Sequence, residues 1–147
     1  MKPYLDGGFL LVLLTQTHGT QAASSILQDL SPPLEINFLH QLQAENMLIH
    51  FQKSSADNLQ LGGSRGLRLW NHYLHEGVFS LVAADWENAL RNAIAWNRHT
   101  PEEPPSLWLF LHPALAVCGG ATHFCSFDPR TRRLAHLRGI RLLPQSL

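Results

Sequence analysis

The chain has 147 residues, the length of one domain, and it can bury a core without disulfides or a metal. With 45% hydrophobic and only 15% charged residues it reads as a folded chain rather than a disordered one. Its formal net charge of zero excludes a global field that would recruit nucleic acid or a membrane surface.

Residues 3–6 (PYLD) read as a short strand, and the apolar run from Gly8 to Thr15 as a buried helix after it. Thr20 is placed to cap a helix through AASSILQDL that stops at Ser31-Pro32-Pro33. LEINF is a strand of alternating character. FLHQLQAENMLIHF follows with Phe38, Leu42, Leu48 and Phe51 at helix-like intervals. Asp57 to Gly63 reads as a loop on its two glycines. RGLRLWNHYLHEG is a helix with Leu67, Trp70 and Leu74 on one face, ended by Gly77.

VFSLVA is a strand. Asp85 caps DWENALRNAIAWNRH, an amphipathic helix with Trp86, Leu90, Ile94 and nearby alanines expected inward. Thr100 to Pro105 is a loop. SLWLFLHPALAVCG is apolar throughout, and its periodicity leaves a buried helix and a central strand equally open. THFCSF, PRTRRLAHLR and IRLLP close the chain as strand, helix and strand. Strands alternating with helices predict an α/β fold with a mainly parallel sheet. In such sheets chemistry gathers at the carboxyl ends of the strands, where Asp6 and Asp128 both stand.

Charge is uneven along this neutral chain. Five of its 11 Lys and Arg residues (Arg130, Arg132, Arg133, Arg138 and Arg141) follow Asp128, and no acid does. That tail is either a solvated helix face or a phosphate contact. Cys118 and Cys125 read as small buried thiols of a reducing compartment. The spacing of His112, Cys118, His123 and Cys125 matches no common zinc pattern. The glycine pairs 62–63 and 119–120 lack the Lys-Ser or Lys-Thr of a phosphate loop. The four tryptophans read as packing residues. No apolar run reaches the roughly 18 residues of a membrane span, and FLLVLL is short for a secretion signal. A cytoplasmic location is expected.

The opening YLDGGFL resembles the first strand of PIN domains, the metal-dependent ribonuclease fold of VapC-type toxins. The closing segment HPALAVCGGATHFCSFDPRTRRLAHLRGIRLLP resembles that family's histidine, Ala-rich helix, strand ending in Phe-Asp, short helix and last strand. The resemblance covers nearly the whole chain. It implies one PIN-like domain over residues 1–147, an α/β/α sandwich with a mainly parallel central sheet.

It also implies a site. The family cuts RNA with three or four carboxylates that hold Mg²⁺ or Mn²⁺. Asp6 matches the first acid and Asp128 the last. Gln43 and Leu109 stand where the other two are expected, and Gly7 replaces the usual hydroxyl residue. Glu45 lies about 200° around the helix from Gln43 and does not replace it. Pro113 is expected to bend or restart the helix that carries position 109.

The resemblance therefore implies a degenerate member, with Asp6 and Asp128 as remnant catalytic and metal-binding residues and Mg²⁺ or Mn²⁺ held weakly or not at all. Such a protein is expected to act as a protein- or RNA-binding module. Arg130, Arg132 and Arg133 are then the RNA contacts, and the expected partners are a VapB-like antitoxin, RNA or a second copy of the chain. The competing expectation is a working Mg²⁺- or Mn²⁺-dependent endoribonuclease, the toxin of a toxin–antitoxin pair.

Overall fold

The computed structural model describes residues 1–15, 17–100 and 107–146. Its elements run β1 (Pro3–Leu5), α1 (Gly7–Leu14), α2 (Thr20–Asp29), β2 (Leu34–Ile36), α3 (Phe38–Gln52), α4 (Asp57–His75), β3 (Phe79–Leu81), α5 (Trp86–His99), α6 (Leu107–Cys118), β4 (His123–Cys125), α7 (Pro129–His136) and β5 (Arg141–Leu143). This is a mixed α/β chain of helices and short strands, and among the described residues all the strand pairs are parallel. Among the described residues no helix is long and apolar enough to cross a membrane. The expected loop at Thr100 to Pro105 falls, beyond Thr100, outside the described residues. Internal contacts divide the chain into two compact units, Gly7–Val82 and Met1–Asp6 with Ala83–Leu147.

In the unit Gly7–Val82, β2 and β3 pair with Leu34 opposite Phe79 and Ile36 opposite Leu81. Helix α1 packs on α2, α3 and α4. Thr20 does not cap α2. The N-cap is Gly19, in the left-handed region at φ 102°. The Thr20 hydroxyl lies against the Val12, Thr15 and Thr17 carbonyls, at 2.7, 2.6 and 2.9 Å, and so fastens the turn between α1 and α2.

Asn37 caps α3 by accepting from the Leu39 amide at 3.0 Å, and His40 Nδ1 accepts from the Asn37 amide in return. The inward face of α3 is Leu39, His40, Ala44 and Leu48. Phe38 and Leu42, at helix-like intervals in the sequence, are 61% and 53% exposed. The four residues named from the sequence do not share a face: Leu48 lies about 240° on from Leu42.

The expected loop at Asp57 to Gly63 is instead the start of the 19-residue helix α4. Its glycines serve packing. A β-carbon at Gly63 would collide with the backbone of Leu48, Phe51 and Gln52, and one at Gly66 with the Leu48 side chain. Their absence lets α4 lie close on α3. Trp70 on α4 is fully buried, with its indole nitrogen 3.3 Å from Glu45 Oε1.

In the unit formed by Met1–Asp6 with Ala83–Leu147, the sheet order is β1-β4-β5, with Leu5, Cys125 and Leu143 in register. Asp85 caps α5 as expected, accepting from the Asn88 amide at 3.2 Å. The buried residues of α5 are Ala89 and Ala93, whereas Leu90 and Ile94 lie at the surface. Small side chains let α5 approach α6.

Helix α6 settles the open choice in favour of a helix, and it runs unbroken through Pro113. Leu109 to Ala116 are buried along it, but Trp108, read as packing, is 63% exposed. Tyr4 stacks on Phe124 at 5.6 Å, and its hydroxyl lies 2.9 Å from His112 Nδ1. Cys118 is half-buried and Cys125 buried, both as free thiols.

A candidate site at the carboxyl ends of β1 and β4

The parallel ladder fixes where this site forms. The Asp6 amide donates to the Cys125 carbonyl at 3.0 Å, and the Ser126 amide to the Leu143 carbonyl at 3.1 Å. Asp6 and Ser126 therefore end neighbouring strands on the same edge of the sheet. Two residues on, Asp128 caps α7 by accepting from the Arg130 amide at 2.8 Å, and Pro129 occupies the first helical turn, where it forfeits no bond.

A chain of hydrogen bonds links these ends. The Asp128 amide donates to Ser126 Oγ at 3.0 Å, and Ser126 Oγ and Thr131 Oγ1 are 2.9 Å apart. Thr131 Oγ1 donates to Asp6 Oδ2 at 3.3 Å and also lies 3.2 Å from the Asp128 carbonyl. Between the Ser126 and Thr131 hydroxyls either oxygen can donate. Asp6 is 3% exposed, and Ser126 and Thr131 are buried with it. The Asp6 charge reaches its surroundings. Burial, with a further contribution from Asp6, pushes the Cys125 thiol up from 9.0 to about 12.

The three expected RNA-contacting arginines differ in placement. Arg132 is 6% exposed, and its guanidinium donates to the Ser126 carbonyl at 2.8 Å and the Pro144 carbonyl at 2.7 Å. Burial lowers its pKa, and the negative charge of Asp6 works against that lowering. Arg132 thus ties the end of β4 to the segment after β5 and does not present its charge to solvent. This corrects its reading as a phosphate contact: the helical face it occupies is the inward one. Arg130 is exposed and folds back on Asp128, with Nη2 3.3 Å from Oδ2. Arg133 is exposed on α7.

The two positions where the resemblance expects further acids are Leu109, buried on α6, and Gln43, half-buried on α3 in the other unit. Glu45 accepts from Gln41 at 3.0 Å as well as from Trp70. Among the described residues no three His, Cys, Asp or Glu side chains form a group able to hold a metal ion. Asp128 spends Oδ1 on its helix cap and Oδ2 on Arg130, and Asp6 accepts from Thr131. This donor set does not fit a cluster of three or four converging carboxylates.

Ser126 and Thr131 were not singled out from the sequence. The signal was there: a hydroxyl residue two before Asp128 at a strand end, and another three after it in the first turn of α7.

No protein-family model matches the chain, and no curated protein sequence matches it. What the site defines by itself is a class of arrangement: an α/β parallel sheet whose strand-end aspartate is held by a Ser–Thr hydroxyl relay.

Proposed function

We propose that the chain is a degenerate PIN-domain protein of the VapC type that binds another protein and does not cut RNA. The proposal includes the α/β/α sandwich with a mainly parallel sheet, and the parallel order β1-β4-β5 supports it. The observation that carries the loss of cutting is the state of the acids. Asp6 is buried and accepts from Thr131, Asp128 is taken up by a helix cap and by Arg130, and Leu109 offers no oxygen. A Mg²⁺ or Mn²⁺ site for hydrolysis needs hard oxygen donors converging with room for water.

Binding to protein rather than RNA is supported by Arg132, whose charge is spent inside the fold, and by the surface of α3. Phe38, Leu42 and Ile49 are exposed large apolar residues within about 40° of one another around that helix. An exposed apolar stripe of this kind supports an interaction surface. The resemblance supplies the expected occupants, a second copy of the chain or a VapB-like antitoxin.

The test pairs two assays on the purified chain. Incubation with single-stranded RNA and Mn²⁺ is expected to leave the RNA intact. Sedimentation is expected to show a dimer that Leu42→Asp turns into a folded monomer. Metal-dependent cleavage overturns the reading, and a wild type that is monomeric at all concentrations and blind to Leu42→Asp overturns the second copy as occupant.

A further inference from the structure

We propose that the unit Gly7–Val82 carries a binding cleft for a small amphiphilic anion, a molecule with an apolar body and one carboxylate, sulfonate or phosphate head. This inference does not rest on the PIN-like reading, because every lining residue lies in that unit and none belongs to the candidate metal site.

The cleft has a volume of about 480 Å³, within the range of small-molecule sites. Phe51 from α3 with Leu59 and Leu61 from α4 form its apolar wall. Leu61 is 71% exposed, so its apolar side chain is open to a ligand in the cleft. Arg65 and Arg68 line the same cleft. Three residues apart on α4, they share one side of the helix. Among the described residues no acid lines the cleft, and the other lining side chains are hydroxyl or amide groups. Among the described residues neither arginine makes an ion pair.

Two arginines beside an apolar wall, without a carboxylate to neutralise them, match an anionic head joined to an apolar body. A guanidinium grips a carboxylate, sulfonate or phosphate in a bidentate way. A cation would meet like charge, and a neutral apolar molecule would leave the arginines unanswered. The size favours one small molecule over a segment of chain.

Gly62 supplies the control. It lines the cleft, and a β-carbon added there meets nothing within 4 Å. A larger side chain at this helical position fills the cleft without disturbing the packing of α4 on α3.

The probe is 8-anilinonaphthalene-1-sulfonate, followed by its fluorescence on the full chain. One saturable site is expected, from which decanoate and decyl phosphate displace the probe while decanol and decyltrimethylammonium do not. Gly62→Leu is expected to abolish the site with the urea midpoint unchanged or higher. Arg65→Gln with Arg68→Gln is expected to weaken it about tenfold or more. Unaltered binding in Gly62→Leu or in the double arginine variant overturns the proposal. So does displacement by decanol as effective as by decanoate, or displacement by an acidic peptide but not by decanoate.

Discussion

Thr131 Oγ1 donates a hydrogen bond to Asp6 Oδ2 across 3.3 Å, joining residues 125 positions apart in the chain. The bond gives Asp6 a structural reason to exist. A buried carboxylate is tolerated when hydrogen bonds and nearby positive charge answer it, and here Thr131 and the buried Arg132 do so. An acid can then sit at a strand end for a structural reason, with no metal needed to hold it.

The relay should therefore matter to stability in the absence of metal. Thr131→Val keeps the shape of the side chain and removes the hydroxyl shared by Asp6 and Ser126. It is expected to cost about 1–3 kcal/mol in urea unfolding, and Thr131→Ser much less. Equal stability of wild type and the valine variant would show that the relay contributes nothing.

The arginines after Asp128 should separate into two kinds. Arg132→Met leaves the Ser126 and Pro144 carbonyls without their donor and is expected to cost about 2–3 kcal/mol. Arg130→Gln breaks an exposed pair and should change stability by no more than about 1 kcal/mol. Thermal unfolding of both variants in one buffer decides the matter.

Neighbouring glycines in α4 should respond in opposite directions. Gly62→Ala replaces a helical glycine in open space and is expected to add about 0.5–1 kcal/mol. Gly63→Ala drives a methyl group into the backbone at the end of α3 and is expected to lose at least about 1–3 kcal/mol. Denaturant midpoints of the two variants give the comparison directly.

Cys125 predicts a pH dependence. Its thiol has a folded pKa of about 12 against an ordinary 9.0, so the folded state holds the proton more tightly than the unfolded one. The contribution is whole below pH 9.0 and is lost as pH rises towards about 12. Stability should fall between pH 9.0 and about pH 12, and less steeply in Cys125→Ala. Iodoacetamide at pH 8 should modify the half-buried Cys118 before Cys125.

Much of the architecture was legible because its signals are local. The closing strand–helix–strand, the cap at Asp85 and the apolar helix α1 each announce themselves within a few residues. Misreadings came where a neighbour decides. Periodicity marks α3 and α5 as helices but does not say which side meets a partner, so Leu90 and Ile94 were expected inside. The α5 alanines expected with them, Ala89 and Ala93, do face the packing surface, as Ala44 does on α3. Glycine has two opposite uses, turning a chain and admitting close contact. Gly63 and Gly66 follow the second and hid the start of α4.

At the candidate site, Asp6 and Asp128 could be found from their places after strands. That Arg132 turns inward depends on the carbonyls of Ser126 and Pro144, which no sequence spacing reveals.

The most direct test of the central claim is a calorimetric titration with Mn²⁺, the more tightly held of the two candidate ions. Wild type and the Asp6→Asn, Asp128→Asn double variant would be compared at equal concentration. The account predicts no binding heat in either protein up to millimolar metal. Micromolar binding by the wild type that disappears in the double variant would contradict it, and would make Asp6 and Asp128 ligands of a working metal site.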